Sequence, residues 1–258
     1  MGGADFRDRQ AREKIMKEDT DRTDQERLVP GRARAHMSDL MGVLLAGGRS
    51  SRMGQDKATL QLPGRGTVLE HLLRLVAGLV PQILVPQLLV SVRCKEPCAA
   101  LADSFARKYG VPVRLILDRT EEIGPMGGLY TSLLVAREAH CTGCLVLSCD
   151  VPLLVPGLLA RLVEHREQHP EALVTALQDA RGWLHPLIAL WSVQAIAFLE
   201  RAMTIGDYSL RRAVPAEHWQ AVACTPREEL SLANANTPQE WQHICALLEQ
   251  GLPAEDRS

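Results

Sequence analysis

Residues 41–58 read M-G-V-L-L-A-G-G-R-S-S-R-M-G-Q-D-K-A, and few folds accommodate such a stretch. A short apolar run at 43–45 has the character of a buried parallel strand. It breaks at Gly47-Gly48 into a small, polar, basic loop. Paired glycines let the backbone approach another group closely and take up conformations other residues resist. Ser50, Ser51, Arg52 and Lys57 add hydroxyls and fixed positive charges. Consecutive backbone N–H groups in a turn make an anion nest, which Arg and Lys complete. The chemistry is that of a phosphate-binding loop following the first strand of an α/β domain. It is not a P-loop, because Lys57 is followed by Ala58. Nor is it the dinucleotide fingerprint, whose glycine spacing Gly47-Gly48 does not match.

From residue 41 onward, strand and helix patterns alternate. Strands are expected at 43–45, 88–92, 113–117 and 144–148, and helices at 68–79, 98–109, 126–138 and 155–165. In the 68–79 helix, Glu70, His71 and Arg74 are expected to face solvent. The later third is less regular. It reads as strands at 172–177 and 187–191 around a turn at Arg181-Gly182, and a helix at 193–203. A shorter helix is expected to begin at Gly206 and run through 206–212, then a strand at 219–224 and a last helix at 238–249 capped by Thr237. This order implies an α/β fold, a doubly wound, mostly parallel, Rossmann-like sheet in a single domain spanning 41–250. Residues 1–40 are dominated by charge and are expected to form a mobile, dispensable extension, and 251–258 a C-terminal tail.

Composition excludes several classes. With 29 basic and 31 acidic residues among 258, no electrostatic footprint for nucleic acid or an anionic membrane exists. Apolar stretches are interrupted before the length a membrane span needs. Seven cysteines without framework spacing read as reduced thiols, placing the protein in the cytoplasm. Cys94 with Cys98 and Cys141 with Cys144 have spacings from which four thiolates could bind a metal, if the two pairs meet.

In an open α/β sheet, ligands bind beyond the carboxyl ends of the strands. Three polar motifs fall there: the loop from Gly47 to Lys57, Asp118 with Gly124-Pro125-Met126-Gly127-Gly128, and Cys149-Asp150-Val151-Pro152. Asp150 ends an apolar strand, where a carboxylate can hold Mg²⁺ against substrate phosphates. An aspartate there can equally cap the next helix. Asp118 can accept hydrogen bonds from a base edge or ribose hydroxyls, or lie on a loop surface.

Together these segments resemble the nucleotidyltransferases that move a nucleoside monophosphate onto a phosphorylated acceptor. Over about residues 41–248 the chain is most similar to the molybdenum cofactor guanylyltransferases. The resemblance implies transfer of GMP from GTP to molybdenum-bound molybdopterin, with Mg²⁺ as cofactor. Arg52, Lys57 and Asp150 would be catalytic, with Asp150 the metal ligand. Leu45, Ala46, Gly47, Gly48, Lys57, Asp118, Gly124 and Asp150 would bind nucleotide. His185, Asn234 and Asn236, in H-P and N-x-N-T-P segments, would bind the acceptor, with Arg211 and Arg212 either near its phosphate or on a solvated helix face. GTP and molybdopterin are the implied small-molecule partners, a molybdenum-insertion protein and molybdoenzyme chaperones the protein ones. The family usually carries an asparagine at the end of the second strand; here Val90-Ser91-Val92-Arg93 leaves Ser91 to supply a hydrogen bond. A cytidylyltransferase, whose first loop usually reads L-A-A-G, and a non-catalytic cofactor carrier are the alternatives.

Overall fold

β1 (Leu40–Leu45) is buried along its whole length, and its side chains alternate between two cores. Leu40 and Leu44 face one side, Met41, Val43 and Leu45 the other, as the two-residue period of a strand requires. The structure, a computed structural model, describes residues 40–47, 56–79, 84–96, 98–118 and 123–252. Gly48 and Arg52, the extension before Leu40 and the tail after residue 252 lie outside the described residues.

After β1 comes a one-turn 3₁₀ helix, Lys57–Thr59, capped by Asp56. A hairpin of β2 (Gln61–Leu62) and β3 (Gly66–Thr67) leads into α1 (Val68–Ala77). Then follow β4 (Leu84–Val92), α2 (Cys98–Tyr109), β5 (Val113–Leu117), α3 (Pro125–Glu138), β6 (Gly143–Ser148) and α4 (Pro156–Gln168). β7 (Val174–Gln178) and β8 (Leu184–Ser192) form a hairpin, followed by α5 (Ile196–Thr204), α6 (Leu210–Ala213), β9 (Trp219–Ala223) and α7 (Pro238–Glu249). Among the described residues the main sheet has seven strands in the order β5-β4-β1-β6-β8-β7-β9. Every neighbouring pair is parallel except those made by β8, which runs against both β6 and β7. The expected doubly wound, mostly parallel sheet is therefore the observed one.

Helices cover both faces. α1, α2, α4 and α7 pack on the face carrying Leu44, Leu145 and Leu147. α3 and α5 pack on the face carrying Val43, Cys144 and Val146. On α1, Leu69, Leu72, Leu73 and Val76 are fully buried, each stabilising by about 1.5–3 kcal/mol relative to exposure.

Two local expectations fail. Gly206 does not open a helix. It has φ +74° and lies in the turn after α5, the position a helix-terminating glycine takes, and α6 begins only at Leu210. His71 does not face solvent; it is 5% exposed. It sits at the edge of the apolar stripe of α1, and neighbouring polar groups hold the ring there. Arg65 Nη1 approaches Nε2 at 3.5 Å, and the ring bonds to the backbone of Pro152, which has only a carbonyl to offer. Nδ1–H therefore donates to Pro152 while Nε2 faces a permanent donor, and the ring is neutral.

Burial, then the charges of Arg65 and Arg74, lower the His71 pKa from 6.5 to about 4. The unfolded chain consequently binds a proton that the folded chain refuses between those values. Stability contributed by the neutral ring is complete above pH 6.5 and lost as pH falls toward 4, by about 3 kcal/mol. Urea unfolding of wild type and His71→Leu across pH 4–7 should show a correspondingly shallower acid loss in the variant; parallel curves would refute it.

Candidate active site

β1 ends between the ends of β4 and β6, and backbone bonds lock the three ends together. Ala46 N donates to Ser91 O at 2.8 Å, and Cys149 N donates to Leu45 O at 3.2 Å. Asp118 N donates to Val92 O at 3.2 Å, bringing in the end of β5. These strands are parallel, so their carboxyl ends, where Ala46, Asp118 and Asp150 stand, lie on one edge of the sheet.

On the β1–β4–β5 side, the glycines mark close approaches. A Cβ on Gly47 would lie 3.1 Å from Asp118 Oδ2 and 3.1 Å from Arg93 Cγ. A Cβ on Gly128 would lie 2.8 Å from Ser91 Oγ and 3.1 Å from Asp118 Oδ1. Ser91, fully buried, donates its hydroxyl to Asp118 Oδ1. Burial pushes the Asp118 carboxyl above its ordinary range, while the Ser91 hydrogen bond and the Arg93 charge pull the other way. Gly124 holds φ +65° at the start of α3, with Pro125 in the first turn and no side chain capping the helix. First-turn N–H groups so left without a side-chain partner suit an anionic or polar ligand.

On the β6 side, Asp150 is half-buried, and its carbonyl accepts from Ala235 N at 2.8 Å. The N-A-N segment thus lies against the Asp150 turn. Lys57 Nζ donates to Asn236 Oδ1 at 2.7 Å, closing the contact between the first loop and the same segment. Asn236 and Thr237 donate their backbone N–H groups to Glu240, the capping box of α7, which holds the segment rigid. Asn236 is half-buried, Asn234 exposed.

Asp150 does not cap the next helix. The N-cap of α4 is Val155, with no side-chain capping bond. Among the described residues the Asp150 carboxylate forms no ion pair, so its lone pairs are available. One such carboxylate is an appropriate donor set for Mg²⁺, which takes one or two carboxylates plus phosphate oxygens and water. Among the described residues no cluster of three or more His, Cys, Asp or Glu exists that would cage a metal without substrate.

His185 lies on β8, in register with Leu177 of β7. Its buried Nε2 has no hydrogen-bond partner and stands 4.0 Å from Asp179 Oδ2. Burial lowers its pKa most; the carboxylates of Asp179 and Asp150 oppose that, and Arg181 and Arg211 reinforce it. His185 therefore sits within electrostatic reach of Asp150. The two arginines differ. Arg212 is paired with Asp207 at 2.7 Å, on the surface. Arg211 stacks on the exposed ring of Trp183, 3.7 Å from its centroid.

The four-thiolate site does not form. Cys98 packs on one face of the sheet and Cys141 and Cys144 on the other, while exposed Cys94 bonds to Glu96. Burial raises the Cys98 thiol to about 11, and those of Cys144 and Cys149 further still, so all three are packing groups.

Residues 42–222 match the model of the MobA-like NTP transferase domain. A Chloroflexus aggregans protein named "Probable molybdenum cofactor guanylyltransferase" is 34% identical over 81% of this chain and 95% of its own length. The molybdenum cofactor guanylyltransferase of Pseudomonas syringae pv. syringae is 34% identical over 76% of this chain and 88% of its own. Among solved structures, molybdopterin-guanine dinucleotide biosynthesis protein A from Archaeoglobus fulgidus superposes with a TM-score of 0.59 at 19% identity, covering 82% of this chain and 100% of that one. With the family model spanning most of the chain and two relatives above 30% identity, the protein belongs to the MobA-like NTP transferase domain family.

Proposed function

We propose that this protein transfers GMP from GTP to the phosphate of molybdenum-bound molybdopterin, releasing pyrophosphate and giving the guanine dinucleotide form of the cofactor. The observation that carries the reading is the Lys57–Asn236 hydrogen bond beside Asp150. It brings Lys57 and the asparagine segment together beside Asp150, which supports a reaction between two phosphorylated molecules.

In this reading Asp118 and the Gly47 and Gly128 surfaces receive the guanine. Its N1–H and 2-amino group are donors, and a carboxylate is their natural acceptor. The α-phosphate lies toward Lys57 and Asp150, and the acceptor enters from His185, Asn234 and Asn236. The acceptor's terminal phosphate attacks the α-phosphorus in line with the departing pyrophosphate, so no covalent protein intermediate is needed. Two anions must meet, and neutralisation falls to Lys57, Arg52 and the N–H groups of the first loop. Mg²⁺ held by Asp150 would neutralise charge on the phosphate oxygens. Orientation of the two substrates supplies much of the remaining acceleration. The seven cysteines are all free thiols, which suits the reducing cytoplasm where the cofactor would be handled. Among the described residues no helix is long and apolar enough to cross a membrane.

Calorimetric titration with GTP, CTP and ATP in the presence of Mg²⁺ tests the base. GTP should bind at least about tenfold more tightly than the others, or about 1.4 kcal/mol. Equal or tighter binding of CTP would refute the guanine assignment and make the protein a cytidylyltransferase of the same reaction class.

A further inference from the structure

We propose that Ser91 is a specificity-determining positioning residue, which turns the Asp118 carboxylate into the orientation that reads guanine. The proposal rests on the guanine reading above. Ser91 stands at the carboxyl end of β4, fully buried, with its backbone carbonyl tied to Ala46. Its hydroxyl cannot touch a base as well as a carboxylate by donation, because it has one proton, and that proton is given to Asp118 Oδ1. The serine therefore acts through the aspartate.

The geometry around the pair shows what this achieves. Oδ1 is directed to Ser91 and Gly128, and Oδ2 to Gly47. A carboxylate on a single rotatable bond has a broad, two-fold torsional preference, and the hydroxyl selects one rotation of it. Both oxygens then stand beside surfaces without side chains, which a flat base can approach. Oδ1 keeps one lone pair and Oδ2 both, enough for the N1–H and 2-amino donors of guanine. Adenine presents an acceptor at N1, and cytosine at N3, against the same oxygens.

Gly128 supplies an independent sign that the pair is built. A Cβ there would lie 2.8 Å from the Ser91 hydroxyl, closer than real contacts come, and a tight 3.1 Å from Oδ1, so a side chain would push the pair apart. Arg93 adds its charge near the same carboxylate, and its side chain lies against Gly47. Charge and hydroxyl both favour the ionised carboxylate, the form that can only accept, against the burial that raises its pKa.

The test compares GTP with ITP, which differs only by lacking the 2-amino group, in calorimetric titrations of the full chain with Mg²⁺. Wild type should favour GTP by about tenfold or more. In Ser91→Ala the GTP preference should fall to within about threefold of unity, chiefly through lost GTP affinity, with ITP weakening less because it has no 2-amino contact to lose. Ser91→Thr, which keeps the hydroxyl, should retain the preference. Gly128→Ala, which keeps the hydroxyl but forces the pair apart, should lose it and serves as the second variant should Ser91→Ala not fold. A folded Ser91→Ala or Gly128→Ala protein with the wild-type GTP/ITP ratio would overturn the proposal. Asp118→Asn separates it from the reading beneath it. If Asp118 reads the base, that variant should lose GTP preference and gain affinity for XTP, whose 2-oxo group accepts from the new amide. Asp118→Asn altering the ratio while Ser91→Ala does not would contradict the Ser91 role alone. Neither variant altering it would remove both.

Discussion

Asp150→Asn should lower turnover on the order of a hundredfold or more while leaving the fold intact. In the proposed reaction, the substitution removes one negative charge from the residue that would hold Mg²⁺ against phosphate, and changes the side chain's shape hardly at all. The structure gives three reasons for the fold to survive. The carboxylate caps no helix, since Val155 is the N-cap of α4. It forms no ion pair among the described residues. Its link to the asparagine segment is made by the backbone carbonyl, which the variant keeps. Because the charge matters most where it develops, in the transition state, turnover should fall more than GTP affinity. His185 offers a readout that does not depend on activity. Asp150 raises its pKa, so the variant should lower it further, as NMR titration would register. A folded Asp150→Asn protein with unchanged turnover would place the metal elsewhere.

Lys57→Ala should damage binding and rate together. The ammonium is held at 2.7 Å from Asn236 Oδ1, so it is placed before substrate arrives, and in the proposed reaction it would meet phosphate in ground and transition states alike. Losing a charge-assisted contact of about 1.5–3 kcal/mol corresponds to about a tenfold to hundredfold loss of GTP affinity. Unlike Asp150→Asn, the variant also frees Asn236 and so should raise the KM for the acceptor. Asn236→Ala should affect the acceptor more than GTP. A double-mutant cycle of the two should be non-additive for the acceptor. Strict additivity would mean that the hydrogen bond does not couple the two sides.

The asymmetry between what could and could not be read from the sequence has physical causes. The strand-end motifs at Gly47, Asp118 and Asp150 were legible because a buried strand ending in glycine or aspartate is a local pattern with a local reason. The sheet followed from alternation, and the hairpin that reverses β8 from the turn at Gly182, which has φ +79°. The Lys57–Asn236 bond was not legible, because 179 residues separate its partners and neither residue type announces the other. Ser91 stands in the sequence where the family usually has an asparagine, but whether its hydroxyl faces a base or a carboxylate depends on where β5 places Asp118. The burial of His71 is not legible in the helical periodicity, which sorts residues by polarity, because a polar ring at the edge of an apolar stripe goes to whichever side offers it partners. Gly206 stood between two helical patterns, and only its positive φ shows which one it terminates.

The most direct measurement of the central claim is the product formed when wild-type protein, Mg²⁺, GTP and molybdenum-bound molybdopterin are mixed. Pyrophosphate release and mass spectrometry of the cofactor should rise together, one pyrophosphate for each acceptor that gains a GMP. Binding of both GTP and molybdopterin with no pyrophosphate released and no GMP on the acceptor would contradict the account and make the protein a carrier.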